Sequence, residues 1–465
     1  MGVRAVRFVV IGAGPAGNQA ATTAARLGAE VTLVENQVVG GAAHRWDCIP
    51  SKALIAAGEA LGFGARAERR GVTGAPLRLD LDGLRVQVGA VGKHLRQATE
   101  SLLGGQGVRL VRGRGRLVGP RAVGVAGPGG EEVLEADAVL VATGSRPRVP
   151  DWCEPDGERI LLSRHAYPPP VVPDHLVVVG SGVTGVEMVH LFASLGSAVT
   201  LVVSRQHVLP GRDPEVAAAL EDSFEARGIR LVKGARAIGA RTVEEAGSRE
   251  GSGGRRVVVT CHDGRVATGS HALVAIGSVP NTGDLGLAEV GVALEGGYVT
   301  VDRHCRTSVP GIYAAGDVSG KLPLSSVGAM QGRKVAEDVM GLHTRAHRHL
   351  DYEKAAQAIF TDPEIAEVGV AEAEAFASGR KIRSTKVPFA ASARALIDGD
   401  PRGFLKILSD PATGVVLGGA IVGRGASELI SVIALAVTAG LRVSDVADTL
   451  LVHPSLAESL AEAAE

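Results

Sequence analysis

The sequence predicts an α/β protein with two Rossmann-like dinucleotide-binding domains and a further C-terminal domain. Three observations predict this fold. A strand, a glycine turn, a small-residue helix and a second strand fill the first 35 residues, and the same order recurs from "HLVVVG" onward. From about residue 346, strands such as "GFLKIL" alternate with helices such as "ELISVIALAVTAG". Strands that alternate with helices in the first two regions favour parallel sheets.

The first βαβ unit carries a GxGxxG motif at Gly12, Gly14 and Gly17. The first glycine permits a tight turn, the second lets backbone approach a pyrophosphate, and the third lets helix and strand pack closely. Glu35 ends the second strand, "EVTLVE", where a carboxylate can accept hydrogen bonds from a ribose. The combination predicts a dinucleotide site, and the alternative reading is an ordinary glycine-rich turn.

The second unit repeats the motif but ends differently. Its glycines are Gly180, Gly182 and Gly185, and the second strand closes on Val203, Ser204 and Arg205 without a carboxylate. Serine and arginine can donate hydrogen bonds to a 2′-phosphate, so we expect NADPH to be accepted, with NADH as a second donor. The alternative is that Arg205 is a solvated loop cation.

Composition limits the class of partner. The chain has 465 residues, of which 45% are hydrophobic and 21% charged, as in globular proteins. Its 49 basic and 50 acidic residues give a net charge of −1, so nothing indicates nucleic acid or an anionic membrane, and we expect a small-molecule partner. The run "SVIALAVTAG" is too short to span a bilayer, and "MGVRAV" lacks signal-peptide and myristoylation features. We expect a cytoplasmic protein without an integral membrane segment.

Neither cysteines nor histidines predict a metal site. Four widely spaced cysteines make no disulfide framework and no zinc-type CxxC, and we expect Cys153, Cys261 and Cys305 to be inert. The segment "HTRAHRH" carries His343, His347 and His349 without an acidic or cysteine cluster nearby. We therefore expect no bound metal.

Together these residues resemble the pyridine nucleotide-disulfide oxidoreductase family almost end to end. The shared motifs are both GxGxxG turns, "CIPSK" (48–52), "ATGSRP", "GIYAAGD", "FTDPEIAEVG" (360–369), "GASELI" (425–430) and "HPSLAESL" (453–460). The resemblance implies a homodimer. It implies an FAD domain at residues 1–150, an NAD(P) domain at 151–280, a central segment at 281–345 that completes the FAD domain, and an α+β dimerisation domain at 346–465.

The resemblance also implies which residues bind the cofactors. For FAD they are Gly12, Gly14, Gly17, Glu35, Gly41, Lys52, Gly115, Thr143, Gly144, Ser145 and Asp317. For NAD(P) they are Gly180, Gly182, Gly185, Glu187, Ser204, Arg205 and Gly277. In the family, the positions of Lys52 and Glu187 pair beside the flavin N5 and the nicotinamide. Burial alone would demand the same pairing, so the structural and functional readings coincide.

The chain departs from the family at its redox motif. The family pattern is "GGTCLNVGCIPSK", whereas this chain reads "GGAAHRWDCIPSK", with Ala43 in place of the first cysteine and only Cys48 left. In the family the first cysteine attacks the disulfide substrate and the second lies against the flavin. Without a dithiol, thiol–disulfide exchange cannot finish in the usual way. We therefore predict an FAD-dependent NAD(P)H:quinone oxidoreductase rather than a dihydrolipoamide dehydrogenase.

The role of the remaining thiol is open. Pro50 suits the first turn of a helix, which would put Cys48 near a positive helix end and favour a thiolate in charge-transfer contact with flavin. A packing relic and a sulfenic-acid cycle are the alternatives. Beside Ala43, the aromatic Trp46 could stack on a quinone ring or simply fill the old disulfide pocket, together with His44 and Arg45.

His453 and Glu458 match the family's histidine–glutamate pair, which the partner subunit contributes and which protonates a thiol there. One hypothesis is that His453 supplies a proton to a reduced quinone, oriented by Glu458. The alternative is an inherited interface contact. Two other functions compete with the quinone reductase: a soluble pyridine nucleotide transhydrogenase, which departs from the family at the second cysteine instead, and a non-catalytic flavin-bound scaffold.

Overall fold

The computed structural model describes residues 4–68, 71–75, 77–244, 254–342 and 350–465. The histidines at 343, 347 and 349 lie outside these ranges. The chain forms two compact units. The first contains Met1–Ser51, Arg85–Arg148 and Ser278–Tyr352, and the second contains Lys52–Leu84, Val149–Gly277 and Glu353–Glu465.

A five-stranded parallel sheet organises the first unit. Its strands lie in the order Ile312–Ala314, Ala138–Val141, Arg7–Ile11, Glu30–Glu35 and Arg109–Arg112. Phe8 and Val10 pack in one cluster with helix alanines, whereas Val9 and Ile11 pack in another with Leu117. Both faces of the central strand are therefore buried, which explains its uninterrupted apolar run.

Helices and short sheets complete this unit. Its helices are Pro15–Arg26, Gly41–Arg45, Ser325–Val339 and most of Leu81–Gly105, whereas most of helix Cys48–Glu68 belongs to the second unit. The additional strands are Arg114–Gly119, Ala122–Gly127 and Gly130–Glu135 in one antiparallel sheet, and the pairs Ser145–Pro147 with Ser278–Pro280 and Leu294–Glu295 with Tyr298–Val299. A Cβ on Gly332 would lie 2.0 Å from the Ala16 carbonyl oxygen, so only glycine lets Ser325–Val339 pack this closely on Pro15–Arg26.

The second unit begins with another parallel sheet. Its strands lie in the order Arg230–Val232, Ala198–Val202, His175–Val179, His271–Val274 and Ile160–Leu162. The helices of this region are Val183–Ser194 and Pro214–Ala226, and its antiparallel strands are Ala237–Glu244, Arg255–Cys261 and Val266–Gly269. The order of strand, glycine turn, helix and strand is the same as in the first unit, which confirms the predicted α/β class.

An antiparallel sheet forms the C-terminal part of the second unit. Its strands lie in the order Gln357–Ile359, Ile365–Gly369, Val416–Val422, Phe404–Ser409 and Arg383–Pro388. The helices here are Glu372–Ala377, Ala393–Ile397, Ala426–Ala439, Val443–Ala447 and Glu458–Ala464. Ile430 and Ile433 of the long helix belong to the same apolar cluster as Leu405 and Ile407 of the sheet. Among the described helices, none is both long and apolar enough to cross a membrane.

A buried ammonium lies in this sheet. Lys406 is 1% exposed, and its Nζ lies 2.9 Å from Asp213 Oδ2, 2.6 Å from Glu215 Oε2 and 2.7 Å from Glu372 Oε2. Burial opposes the charge, but the hydrogen bonds that the Lys406 ammonium donates to these three carboxylates raise the pKa of Lys406 above its usual value. An isolated buried charge would cost several kcal/mol, so the Lys406 ammonium is stable here only together with its carboxylate partners.

Candidate functional site

The first glycine turn leaves room for a ligand at one of its three glycines. Gly12 has φ +107°, and a Cβ there would lie 2.4 Å from the Ala142 carbonyl oxygen, while a Cβ on Gly17 would lie 1.8 Å from the Gly12 carbonyl oxygen. A Cβ on Gly14 would meet no atom within 4 Å. Two glycines therefore serve the packing of the chain itself, and Gly14 keeps space open at the start of helix Pro15–Arg26.

Glu35, at the end of the second strand, is hydrogen-bonded to this turn. The residue is 7% exposed, and its Oε2 accepts a hydrogen bond from the Ala13 amide at 2.8 Å while Oε1 accepts from the Gln37 amide at 2.6 Å. Each carboxylate oxygen has a second lone pair, so Glu35 can also accept from ribose hydroxyls. Gly41, at φ +61°, packs on the turn, because its Cβ would lie 2.8 Å from Gly14 Cα.

A second group of expected FAD residues lies at the strand ends of the same unit. Ser145 Oγ donates to Asp317 Oδ2 at 2.6 Å, and Thr143 Oγ1 donates to the Asn281 carbonyl oxygen at 2.8 Å. Gly144, at φ +68°, faces open space. The residues of this unit therefore fit an FAD, since Gly14 and Gly144 leave an open cradle that a Cβ would fill.

Gly115 has a different place from the other expected FAD residues. A Cβ there would lie 3.2 Å from side-chain carbons of Ile11 and Val34, beneath the sheet. The structure therefore gives Gly115 a packing role.

The remaining thiol of the redox motif pairs with a hydroxyl. Cys48 is the first residue of helix Cys48–Glu68, and its Sγ lies 3.3 Å from Oγ of Ser325, which is the first residue of helix Ser325–Val339. All four cysteines are free, and Ala43 is buried. Sequence reasoning missed Ser325, since nothing local connects it to a residue 277 positions away.

Arg45 and Trp46 form a stacked pair beside this thiol in the sequence. The guanidinium carbon of Arg45 lies 4.3 Å from the Trp46 ring centroid, a cation–π contact. The neighbouring His44 packs against Gly40, whose Cβ would lie 2.0 Å from His44 Nδ1, and burial lowers the pKa of His44. In the segment beside Ala43, His44 and Trp46 are thus half-buried and Arg45 is exposed.

The second glycine turn repeats the first. Gly180 has φ +112° and a Cβ there would lie 2.2 Å from the Ala275 carbonyl oxygen, while a Cβ on Gly185 would lie 1.8 Å from the Gly180 carbonyl oxygen. Gly182 and Gly277 both face open space. The turn therefore offers the same kind of opening for a pyrophosphate as its counterpart in the first unit.

Two exposed polar residues follow the strand Ala198–Val202. Val203 is fully buried, whereas the side chains of Ser204 and Arg205 are exposed. The Arg205 carbonyl oxygen accepts a hydrogen bond from the Gly234 amide at 2.8 Å, which fixes the backbone of the loop. An exposed guanidinium on a fixed backbone can form charge-assisted hydrogen bonds with a phosphate.

Lys52 and Glu187 form an ion pair that includes a third residue. Lys52 Nζ lies 2.9 Å from Glu187 Oε2, and Glu187 Oε1 accepts a hydrogen bond from the Phe360 amide at 3.0 Å. The Lys52 ammonium also lies 4.6 Å from the Phe360 ring centroid. Sequence reasoning missed Phe360 as a site residue, although it opens the quoted "FTDPEIAEVG" motif. Both oxygens of the nearly buried Glu187 are thus held in place.

His453 and Glu458 are hydrogen-bonded at the C-terminal end of the chain. His453 Nδ1 lies 2.7 Å from Glu458 Oε1, and Glu458 Oε2 accepts from the Ser455 amide at 2.8 Å. The hydrogen bond from Ser455 and that from His453 lower the pKa of Glu458. With Nδ1 engaged, Nε2 is the ring nitrogen that can exchange a proton, and the His453 side chain is 75% exposed in the single chain.

Two family models match the chain. The model for pyridine nucleotide-disulphide oxidoreductases covers residues 6–332, and the model for the dimerisation domain of the same family covers residues 355–464.

The chain is also similar to individual relatives over nearly its whole length. A Mycobacterium tuberculosis protein named NAD(P)H dehydrogenase (quinone) is 44% identical, over 98% of this chain and 93% of that protein. A dihydrolipoyl dehydrogenase of Chlorobaculum tepidum is 36% identical, over 98% and 95%. The crystal structure of LpdA from Mycobacterium tuberculosis superimposes with a TM-score of 0.91 at 42% identity, over 99% of each chain. The chain therefore belongs to the pyridine nucleotide-disulphide oxidoreductase family.

Proposed function

We propose that this protein is an FAD-dependent NAD(P)H:quinone oxidoreductase that works without a redox-active disulfide. The observation that carries the proposal is the redox motif itself, where a buried Ala43 stands in place of a cysteine and Cys48 contacts the Ser325 hydroxyl instead of a second thiol. A thiol pair is required for disulfide exchange, and a single thiol leaves that cycle incomplete. The name of the relative NAD(P)H dehydrogenase (quinone) supports a quinone as the electron acceptor.

In this proposal the first unit binds FAD. Gly14 and Gly144 give the cofactor room, Glu35 accepts from its ribose, and Asp317 accepts from its polyol. FAD, when bound, accepts two electrons from NAD(P)H and passes them to a quinone. Cys48 is the first residue of a 21-residue helix and belongs to the same unit as the proposed FAD site.

The second unit binds the nicotinamide nucleotide. Gly182 and Gly277 leave space for it, and the rigidly held Glu187 with Lys52 provides a fixed pair of opposite charges to orient the nicotinamide. Ser204 and Arg205 donate to the 2′-phosphate of NADPH, and the absence of a carboxylate at Val203 removes the repulsion that a phosphate would meet there. NADH binds without these contacts.

His453 is the proposed proton donor to the reduced quinone. Ser455 holds Glu458, and Glu458 accepts from His453 Nδ1–H, so the proton that the imidazolium form would transfer is the one on Nε2, which solvent then restores. In the homodimer that the dimerisation domain supports, this group would be contributed by the partner subunit, as the family resemblance implies. Replacement of His453 with alanine tests this role, because unchanged quinone turnover with NADPH would end it.

The deciding experiment measures steady-state oxidation of NADPH and NADH against a naphthoquinone, a benzoquinone, lipoamide, glutathione disulfide and a thio-analogue of NAD⁺. We expect fast quinone reduction and no disulfide turnover. The matched variant Ala43→Cys restores the thiol pair and should acquire lipoamide turnover. Lipoamide turnover by the unaltered protein would refute the proposal, and turnover of the NAD⁺ analogue alone would identify a transhydrogenase.

An anaerobic titration separates the enzyme from a flavin-bound scaffold. Addition of NADPH to the yellow holoprotein should bleach the flavin absorbance. A protein that stays yellow would be a scaffold.

A further inference from the structure

A chain of buried hydrogen bonds in the first unit ends at the backbone beside Asp317. Gln331 is 1% exposed, and its Oε1 accepts a hydrogen bond from the Gly316 amide at 2.7 Å. Gln331 Nε2 donates to Tyr352 Oη at 2.8 Å. Cys305, whose side chain is 2% exposed, is a neighbour of Tyr352 whose charge would act on the Tyr352 hydroxyl. No part of the proposed catalytic route uses Gln331, Tyr352 or Cys305.

The Gly316 amide fixes the direction of the hydrogen bonds that Gln331 makes. A backbone amide can only donate, so the oxygen of the Gln331 amide must face Gly316 and the nitrogen must face Tyr352. The amide nitrogen has no free lone pair and donates, so Tyr352 Oη accepts. Burial raises the pKa of Cys305 and of Tyr352 to about 12 each, so both keep their protons at neutral pH.

Gln331 is itself held against the glycine turn of the same unit. It belongs to helix Ser325–Val339, next to Gly332, whose Cβ would lie 2.0 Å from the Ala16 carbonyl oxygen. Ala16 lies inside the GxGxxG motif. The amide of Gln331 is therefore carried on a helix that cannot slide relative to that motif without opening a close backbone contact.

The Gly316–Asp317 turn needs such support. Gly316 has φ +76°, and Asp317 follows it directly, with Oδ2 accepting from Ser145 Oγ at 2.6 Å. We propose that Gln331 and Tyr352 are positioning residues for the FAD site, because through the Gly316 amide they fix the turn that orients the Asp317 carboxylate. This inference rests on the proposed function only in that FAD binds the first unit.

The test compares two tyrosines of the same unit. Tyr352→Phe removes the acceptor of Gln331 Nε2 and leaves a buried donor unsatisfied. The matched control is Tyr313→Phe. Tyr313 is 8% exposed, and its hydroxyl donates to Asp338 Oδ2 at 2.9 Å and not to Gln331 or Gly316. We expect Tyr352→Phe to raise the FAD dissociation constant about tenfold and to change the visible circular dichroism of the flavin, whereas Tyr313→Phe should change the constant less than twofold.

Equal loss of FAD affinity in both variants, or unchanged affinity and flavin spectrum in Tyr352→Phe, would overturn the proposal. If Tyr352→Phe does not fold, Gln331→Glu and Gln331→Met replace it. The glutamate variant keeps an oxygen that can accept from the Gly316 amide and should bind FAD at least threefold more tightly than the methionine variant, which has no such acceptor. Equal affinities of these two variants would also contradict the proposal. Since FAD release is followed by flavin fluorescence, a wild-type holoprotein that fails to reduce quinones would refute the proposed function alone.

Discussion

The two dinucleotide turns have nearly the same backbone and different endings. The first glycines, Gly12 and Gly180, have φ +107° and +112°, and a Cβ on either third glycine would lie 1.8 Å from a carbonyl oxygen of the same turn. The middle glycines have φ −73° and ψ −175° in one turn, and φ −74° and ψ −177° in the other. At the end of the second strand, however, a buried Glu35 stands in one unit and an exposed Ser204 with Arg205 in the other.

The comparison separates two tasks of the motif. The first and third glycines satisfy the packing of the chain itself, so they are needed whichever nucleotide binds. The residues at or just after the end of the second strand are placed near the ribose, whose 2′ substituent is a hydroxyl in FAD and NADH and a phosphate in NADPH, so they decide which nucleotide binds. The predictions for Gly17, Glu35 and Arg205 each test one of these tasks, and the prediction for His190 tests a further difference between the two units.

The largest effect on stability is expected for Gly17→Ala, and Gly14→Ala is the variant to compare with it. The new Cβ at Gly17 would meet the Gly12 carbonyl oxygen at 1.8 Å, so the turn must open, at a cost of about 3 kcal/mol or more. The new Cβ at Gly14 meets no protein atom and occupies only the ligand space. Thermal unfolding of the apoprotein should show a loss for Gly17→Ala alone, and flavin content should fall in both. Equal melting temperatures of the two apoproteins would contradict this reading.

Glu35→Gln should weaken FAD binding and leave the second unit unaffected. The amide nitrogen of glutamine cannot accept, so one of the hydrogen bonds from Ala13 and Gln37 is lost together with the negative charge. We expect the FAD dissociation constant to rise tenfold to a hundredfold, roughly 1.5 to 3 kcal/mol, by fluorescence titration. Glu30→Gln, an exposed change at the start of the same strand, is the control. Loss of NADPH affinity in Glu35→Gln would show that the two turns are not independent.

The two helices after the turns also differ, since His190 stands where the first has Thr22. The pKa of His190 is lowered to about 4. Burial is the largest cause, the Arg227 and Arg402 cations lower the pKa as well, and the Asp362 carboxylate partly opposes them. Its Nδ1 lies 2.9 Å from Arg227, to which it must act as acceptor. The unfolded chain takes up this proton near pH 6.5, so the contribution of His190 to stability is present above that pH and is lost as the pH falls towards 4.

His190→Thr should therefore reduce the acid sensitivity of the protein. We expect the wild type to lose about 2 kcal/mol more free energy of unfolding than the variant between pH 7 and pH 5. Chemical denaturation at the two pH values measures this difference, and His262→Ala, at an exposed histidine, is the control. The same acid dependence in wild type and variant would rule out His190 as the source.

The smallest effect is expected at the exposed end of the second strand. Arg205→Leu removes a charged donor to the 2′-phosphate, so the KM for NADPH should rise about tenfold, or 1.4 kcal/mol, while the KM for NADH stays unchanged. Arg241→Leu, at another exposed arginine of the same unit, controls for net charge. An equal change in both KM values for Arg205→Leu would make this residue a solvated cation without a role in selectivity.

The sequence was sufficient for the features that are local in the chain. Glycines at fixed spacing and an acid at a strand end lie within 35 residues, so their pattern can be read from a short stretch of sequence. The partners of the site residues are not local. Glu187 meets the Phe360 amide 173 residues away, and Cys48 meets Ser325 across 277 residues. Hydrogen bonds of this kind depend on tertiary packing, which no periodic pattern records, so Ser325 and Phe360 could be found only in the fold.

The different burial of the four free cysteines makes this protein a convenient subject for chemical labelling. Cys153, Cys261 and Cys305 are 6%, 2% and 2% exposed, whereas Cys48 is half-buried at the start of its helix. A thiol reagent added to the native protein should therefore react with one equivalent per chain, at the position beside the proposed flavin site. A fluorophore or spin label at Cys48 would then report on that site without any engineered cysteine.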